Sequence, residues 1–94
     1  MATLTSPEVA RHLGSLPEWK VEKGELVRTF SFADFRAAIR FVNRVAEAAE
    51  QAGHHPDLDI RYNKVRLALV THSAGGLTER DFALAEAADK LTQD

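Results

Sequence analysis

The longest run of regularly spaced apolar residues lies between Ala33 and Ala52, where Phe35, Ala38, Ile39, Val42, Val45, Ala46 and Ala49 recur at steps of three and four. That period matches the helical turn, so the pattern predicts one long helix with a single buried stripe. Gly53 is its natural stop, because glycine takes the left-handed conformation that closes helices without a steric penalty. Beyond it the period changes to two. Leu58, Ile60 and Tyr62 alternate with Asp57, Asp59 and Arg61; after Asn63-Lys64, Val65, Leu67 and Leu69 alternate with Arg66, Ala68 and Val70. Two strands are predicted. A two-residue turn at Asn63-Lys64 would set Tyr62 opposite Val65, Ile60 opposite Leu67 and Leu58 opposite Leu69, giving both strands one apolar face.

An earlier hairpin is predicted from Trp19 to Glu22 and from Leu26 to Phe32, joined at Lys23-Gly24, where glycine accepts the positive φ that tight turns demand. Phe30 and Phe32 share one strand face. Ser6-Pro7-Glu8 predicts a short first helix to about Leu13, with Ser6 as N-cap, Pro7 at the first helical position and Glu8 near the positive dipole end. Ser73-Ala74-Gly75-Gly76 reads as a flexible loop, and Thr78 then caps a last helix with a Leu77–Phe82 staple. The fold class expected is α+β, in the order α-β-β-α-β-β-α. Two hairpins join into a single four-stranded antiparallel sheet, with helices packed on one face.

Composition narrows this picture. A chain of 94 residues, 45% hydrophobic and 28% charged, is read as one domain over 1–94 that buries roughly 60 to 65% of its unfolded surface. No repeat, low-complexity tract or linker interrupts it. No apolar run nears the roughly 20 residues of a membrane span, and Met1-Ala2-Thr3-Leu4-Thr5-Ser6-Pro7 lacks a basic stretch leading into an apolar signal core. No membrane partner is expected, and the expected location is cytoplasmic. The absence of cysteine excludes disulfides, thiolate nucleophiles and thiolate metal sites. A net charge of -2 argues against sequence-independent nucleic-acid binding, so no direct nucleic-acid partner is expected.

The candidate chemistry is in the histidines. Three of the four, His54, His55 and His72, fall around the end of the long helix and the second hairpin. Histidine exchanges protons readily near neutral pH, so a cluster suits a general acid paired with a general base. Pro56 biases His55 toward an extended conformation, and adjacent extended residues point in roughly opposite directions. His72 ends the strand begun at Val65 and by parity faces away from the core. Each residue also has a plainer reading. His12, outside the cluster, keeps the ordinary one of a surface or core histidine. Glu50 could be a solvated residue in the last helical turn, where its charge opposes the dipole. Asp81, third after Thr78, could be half of a capping box. Pro56 and Tyr62 suit loop shape and sheet packing. Three imidazoles could also hold zinc, but neighbouring extended residues seldom converge on one ion.

The spacing itself carries a resemblance. An acidic residue, three residues, His-His-Pro, five residues, an aromatic, nine residues, His, eight residues and Asp are matched here by Glu50, His54-His55-Pro56, Tyr62, His72 and Asp81. In this the chain resembles the pterin-4a-carbinolamine dehydratases, also known as dimerisation cofactors of a homeodomain transcription factor. The likeness extends to Trp19, Phe30-Ser31-Phe32-Ala33-Asp34-Phe35, Tyr62-Asn63-Lys64-Val65, Thr71-His72 and Leu77-Thr78-Glu79-Arg80-Asp81. It departs at Leu58, where animal members usually carry tryptophan.

The resemblance implies a lyase that removes water from a 4a-hydroxytetrahydropterin to give the quinonoid dihydropterin, in tetrahydrobiopterin-type recycling, with no redox cofactor and no metal. It makes His54 and His72 the catalytic acid/base pair, and His55, Glu50, Pro56 and Asp81 substrate-binding residues. Which histidine is acid and which is base stays open. The alternative is a non-catalytic dimerisation module of the transcriptional-coactivator type. The resemblance also implies a homotetramer built as a dimer of dimers, or a homodimer. Exposed sheet edges and the alanine-rich helix, with Ala37, Ala38, Ala46, Ala48, Ala49 and Ala52, suit such assembly.

Overall fold

Two hairpins meet along their inner strands. In the computed structural model, which describes residues 2–92, β1 (Lys20–Glu22) and β2 (Glu25–Ser31) form one hairpin, and β3 (Asp57–Arg61) and β4 (Lys64–Leu69) the other. β2 pairs antiparallel with β4, giving the sheet order β1-β2-β4-β3. Helices α1 (Ser6–Leu13), α2 (Phe35–Ala52) and α3 (Glu79–Asp89) complete the expected order and architecture.

The sheet contributes Leu26, Phe30, Val65, Leu67 and Leu69 to the core, and α2 lays Ala38, Phe41, Val45 and Ala49 against them. Phe41 decides how α2 is rotated. Its ring lies 4.6 Å from that of Phe30 and 5.0 Å from that of Phe32, centroid to centroid. The buried stripe therefore differs from the one expected: Phe41 and Ala37 join it, while Phe35 and Ala46 are exposed. At about 100° per residue, Phe35 and Ala46 stand about 120° and 140° around the helix from Phe41. Neither can face the sheet with it.

Local chemistry moves two further boundaries. The N-cap of α1 is Thr5 rather than Ser6. Only Thr5 has a glutamate three residues on: its hydroxyl accepts the Glu8 N–H at 3.3 Å, and the Glu8 carboxylate accepts the Thr5 N–H at 2.8 Å. Those bonds, with the backbone N–H foremost, hold the Glu8 carboxyl below its ordinary range.

The second hairpin turns at Tyr62-Asn63, one residue earlier than expected, and pairs Arg61 with Lys64, Ile60 with Val65 and Leu58 with Leu67. Asn63 is the cause. Its side-chain amide donates to the Phe32 carbonyl at 2.8 Å, and the Phe32 N–H donates to the Asn63 carbonyl at 2.9 Å. Clamped beside Phe32, Asn63 leaves Tyr62 to take the positive φ of 53° with its side chain 67% exposed. Tyr62 is a turn residue and does not pack the sheet. Leu58 and Ile60 keep their faces, because the pairing moved by an even number of positions.

Gly53 closes α2 with φ of 62°. A Cβ there would meet nothing nearer than the Arg80 guanidinium at 4.0 Å. The cost of Gly53→Ala is therefore one of backbone conformation, expected at about 1–2 kcal/mol. It should show as a lower urea midpoint at unchanged m-value.

Candidate active site

His54 follows the helix stop directly, and its backbone N–H donates to the Ala49 carbonyl at 3.1 Å. That bond turns the chain back under α2. The imidazole is buried, with Nε2 2.6 Å from Oδ1 of Asp81. Asp81 is wholly buried in the first turn of α3, and its other oxygen, Oδ2, accepts the Thr78 N–H and the Thr71 hydroxyl, each at 2.9 Å. The capping-box reading of Asp81 is met, and the same side chain also reaches His54. One oxygen completes the capping box and the other holds an imidazole.

His55 points elsewhere, as adjacent extended residues do. Its Nε2 lies 2.5 Å from Oε2 of Glu50, and both side chains are largely exposed. Glu50 thus acts on its neighbour across the helix stop. Pro56 is half-buried and leads from His55 into β3.

His72 is placed differently from expectation. β4 ends at Leu69, so strand parity does not reach His72, which instead opens a 3-10 turn, His72–Ala74. Nor is the segment that follows a loose loop. Thr71 and Gly76 exchange backbone hydrogen bonds of 3.1 and 3.3 Å, and the Gly75 N–H donates to the His72 carbonyl at 3.1 Å. The closed turn sets the His72 side chain on the surface beside the other two histidines.

A hollow of about 300 Å³ gathers them: His54, His55 and His72 line it with Gly53, Val70, Thr71, Ser73 and Arg80. Asp81 stands behind His54, and Glu50 and Pro56 are outside the lining. A larger groove of about 410 Å³ between α2 and α3 shares His54 and Arg80, but the rest of its wall is Ala48, Gln51, Ala52, Ala83, Leu84 and Ala87. Proton-transfer groups converge only in the smaller one. Among the described residues, no three His, Asp or Glu side chains group closely enough to hold a metal ion.

Three contributors were not named as site residues from sequence. Arg80 donates from Nη2 to the Gly53 carbonyl at 2.6 Å, tying the start of α3 to the end of α2. A cation in a first helical turn opposes the macrodipole, and that misplacement was its sequence signal. Thr71 and Thr78, both buried, brace Asp81. Thr78 was legible as a helix cap, but nothing in the sequence tied either threonine to His54.

The family model described as pterin 4 alpha carbinolamine dehydratase matches residues 2–91. The chain belongs to the pterin-4a-carbinolamine dehydratase family. A protein of Acidobacterium capsulatum assigned the name pterin-4-alpha-carbinolamine dehydratase is 62% identical over 91 residues, covering 97% of this chain and 99% of that one. One of Chloroflexus aurantiacus with the same assigned name is 60% identical over 91 residues, covering 97% and 98%. Among solved structures, a transcriptional coactivator/pterin dehydratase from Brucella melitensis superposes with a TM-score of 0.93 at 33% identity, covering 97% of this chain and 99% of its own. Within this pterin-4a-carbinolamine dehydratase fold, the hollow takes in all three histidines of the spacing pattern.

Proposed function

We propose that the chain dehydrates a 4a-hydroxytetrahydropterin to the quinonoid dihydropterin and water, by histidine acid/base catalysis, in the recycling of a tetrahydrobiopterin-type cofactor. The observation that carries the reading is the convergence of His54 and His72, eighteen positions apart in sequence, on one hollow. The chemistry asks for two proton transfers. The 4a-hydroxyl leaves with the C4a–O electron pair once an imidazolium protonates it, and the N5 proton is taken by a neutral imidazole as the N5=C4a bond forms. Water departs and the net proton count is unchanged. Each transfer made by a placed side chain contributes typically ~10²- to 10⁴-fold. His55, oriented by Glu50, suits ring binding at the open side, Pro56 fixes its direction, and Asp81 orients His54.

The name of the Brucella melitensis neighbour also carries a coactivator role. The intact histidine set favours the enzyme here. The test is to generate a pterin carbinolamine in situ and follow its dehydration with and without the protein. Acceleration is expected; a rate equal to buffer sinks the reading.

The reading extends to a homo-oligomer in the cytoplasm. Among the described residues no helix is long and apolar enough to cross a membrane. All five residues of β3, an edge strand, are exposed, with Leu58 at 38% and Ile60 at 40% on the side that faces the core. An apolar edge of this kind pairs with another copy across a twofold. Ala46 and Ala52, exposed on α2, suit close helix packing between such dimers. Light scattering on a sizing column should give a dimer or tetramer for the native chain. Ile60→Lys, a charge on that edge, should shift it to smaller species, and an unshifted mass would place the contact elsewhere.

A further inference from the structure

We propose that Thr71 and Thr78 are positioning residues whose hydroxyls, acting through Asp81, hold His54 as its Nε2–H tautomer and so present Nδ1 to the hollow as a proton acceptor. The assignment follows from counting protons in a buried network. A carboxylate only accepts, and Oδ2 of Asp81 already takes the Thr78 N–H and the Thr71 hydroxyl proton. Thr71 has no second proton. Its 2.8 Å contact with the Thr78 hydroxyl must therefore use the Thr78 proton, and the Thr78 oxygen in turn accepts the Arg80 N–H at 3.2 Å.

The chain thus has one direction, from Thr78 to Thr71 to Asp81, and each hydroxyl proton has one place. With Oδ2 occupied, Oδ1 receives at 2.6 Å from Nε2, which must carry the ring proton. Two facing acceptors at that distance, out of water, would repel. Thr71, Thr78 and Asp81 are 2%, 1% and 0% exposed, so solvent cannot rescue a broken link.

In the neutral ring, Nδ1 of His54 is then the atom with a free lone pair. No buried side-chain nitrogen or oxygen among the described residues lacks a partner, and Nδ1 has none among them, so it is open to one of the two cavities that His54 lines. On the proposed reading that is the hollow, where His55 and His72 also stand, rather than the groove between α2 and α3. This part rests on the dehydratase reading: His54 takes the N5 proton, and His72, exposed and free of a carboxylate among the described residues, gives one to the hydroxyl.

The test reads tautomer and rate separately. Long-range ¹H–¹⁵N spectra of the native protein without substrate should show His54 protonated at Nε2 only. Thr71→Val keeps the side-chain shape without the hydroxyl, frees the Asp81 carboxylate to turn away from His54 and so should give mixed tautomers. It should also lose about tenfold in kcat at unchanged KM, the size of one net hydrogen bond. Thr71→Ser should restore both readouts. Thr71→Ala removes the same hydroxyl and carries the same expectation should the valine variant not fold. A native tautomer in the hydroxyl-free variant, a kcat within twofold of native, or a loss confined to KM would overturn the proposal. A native protein with no dehydratase activity would overturn the functional reading alone, because the tautomer is measured without turnover.

Discussion

His72→Ala is expected to slow carbinolamine dehydration by ~10²- to 10⁴-fold, the usual worth of one placed acid or base, while leaving the unfolding free energy within about 0.5 kcal/mol of native. The separation follows from how His72 is held. Its backbone carbonyl and the Thr71–Gly76 bridge define the turn, whereas its exposed side chain braces nothing in the core. Rate and stability should therefore part company. Initial rates with substrate generated in situ, set beside denaturant curves of the same preparation, would check it. Full activity in this variant would remove His72 from the site, and a large drop in stability would make its role structural.

Asp81→Ala is expected to do the opposite and damage both properties, at a stability cost of several kcal/mol, about 1–3 for each buried donor left without an acceptor. The lost carboxylate would leave the Thr78 N–H, the Thr71 hydroxyl and the His54 ring N–H without an acceptor, in a place water does not reach. Against a typical total of about 5–15 kcal/mol, that is a large share. Chemical denaturation would measure it directly. A loss under about 1 kcal/mol would mean that the network reforms around the gap.

How far the sequence reaches is clearest residue by residue. Gly53 and Lys23-Gly24 were legible because the backbone there needs positive φ, and few residues supply it. The order of elements was legible from the change of hydrophobic period between α2 and β3. Phe41 escaped because a stripe drawn through many small apolar residues has no sharp centre, and one aromatic wedged between Phe30 and Phe32 sets the true one. Register at Tyr62-Asn63 escaped for a similar reason: either turn keeps every side chain on its proper face, so only a distant clamp from Asn63 to Phe32 decides between them.

The candidate site was legible as a cluster of histidines and less so as a geometry. Spacing named His54, His55 and His72, and the hollow contains all three. Strand parity could not place His72, because a 3-10 turn intervenes. The part Thr71 plays was hidden because a hydroxyl acts only through what it touches, and what Thr71 touches lies ten residues away.

Asp81 bears on how such a chain would be improved. At the third position of a helix, glutamate or glutamine completes a capping box better than aspartate does, and a design guided by helix propensity alone would replace it. The longer side chain would carry the carboxylate one methylene past the point where its second oxygen meets His54. On the proposed reading, what looks like a suboptimal helix start is the one side-chain length that serves the cap and the imidazole together.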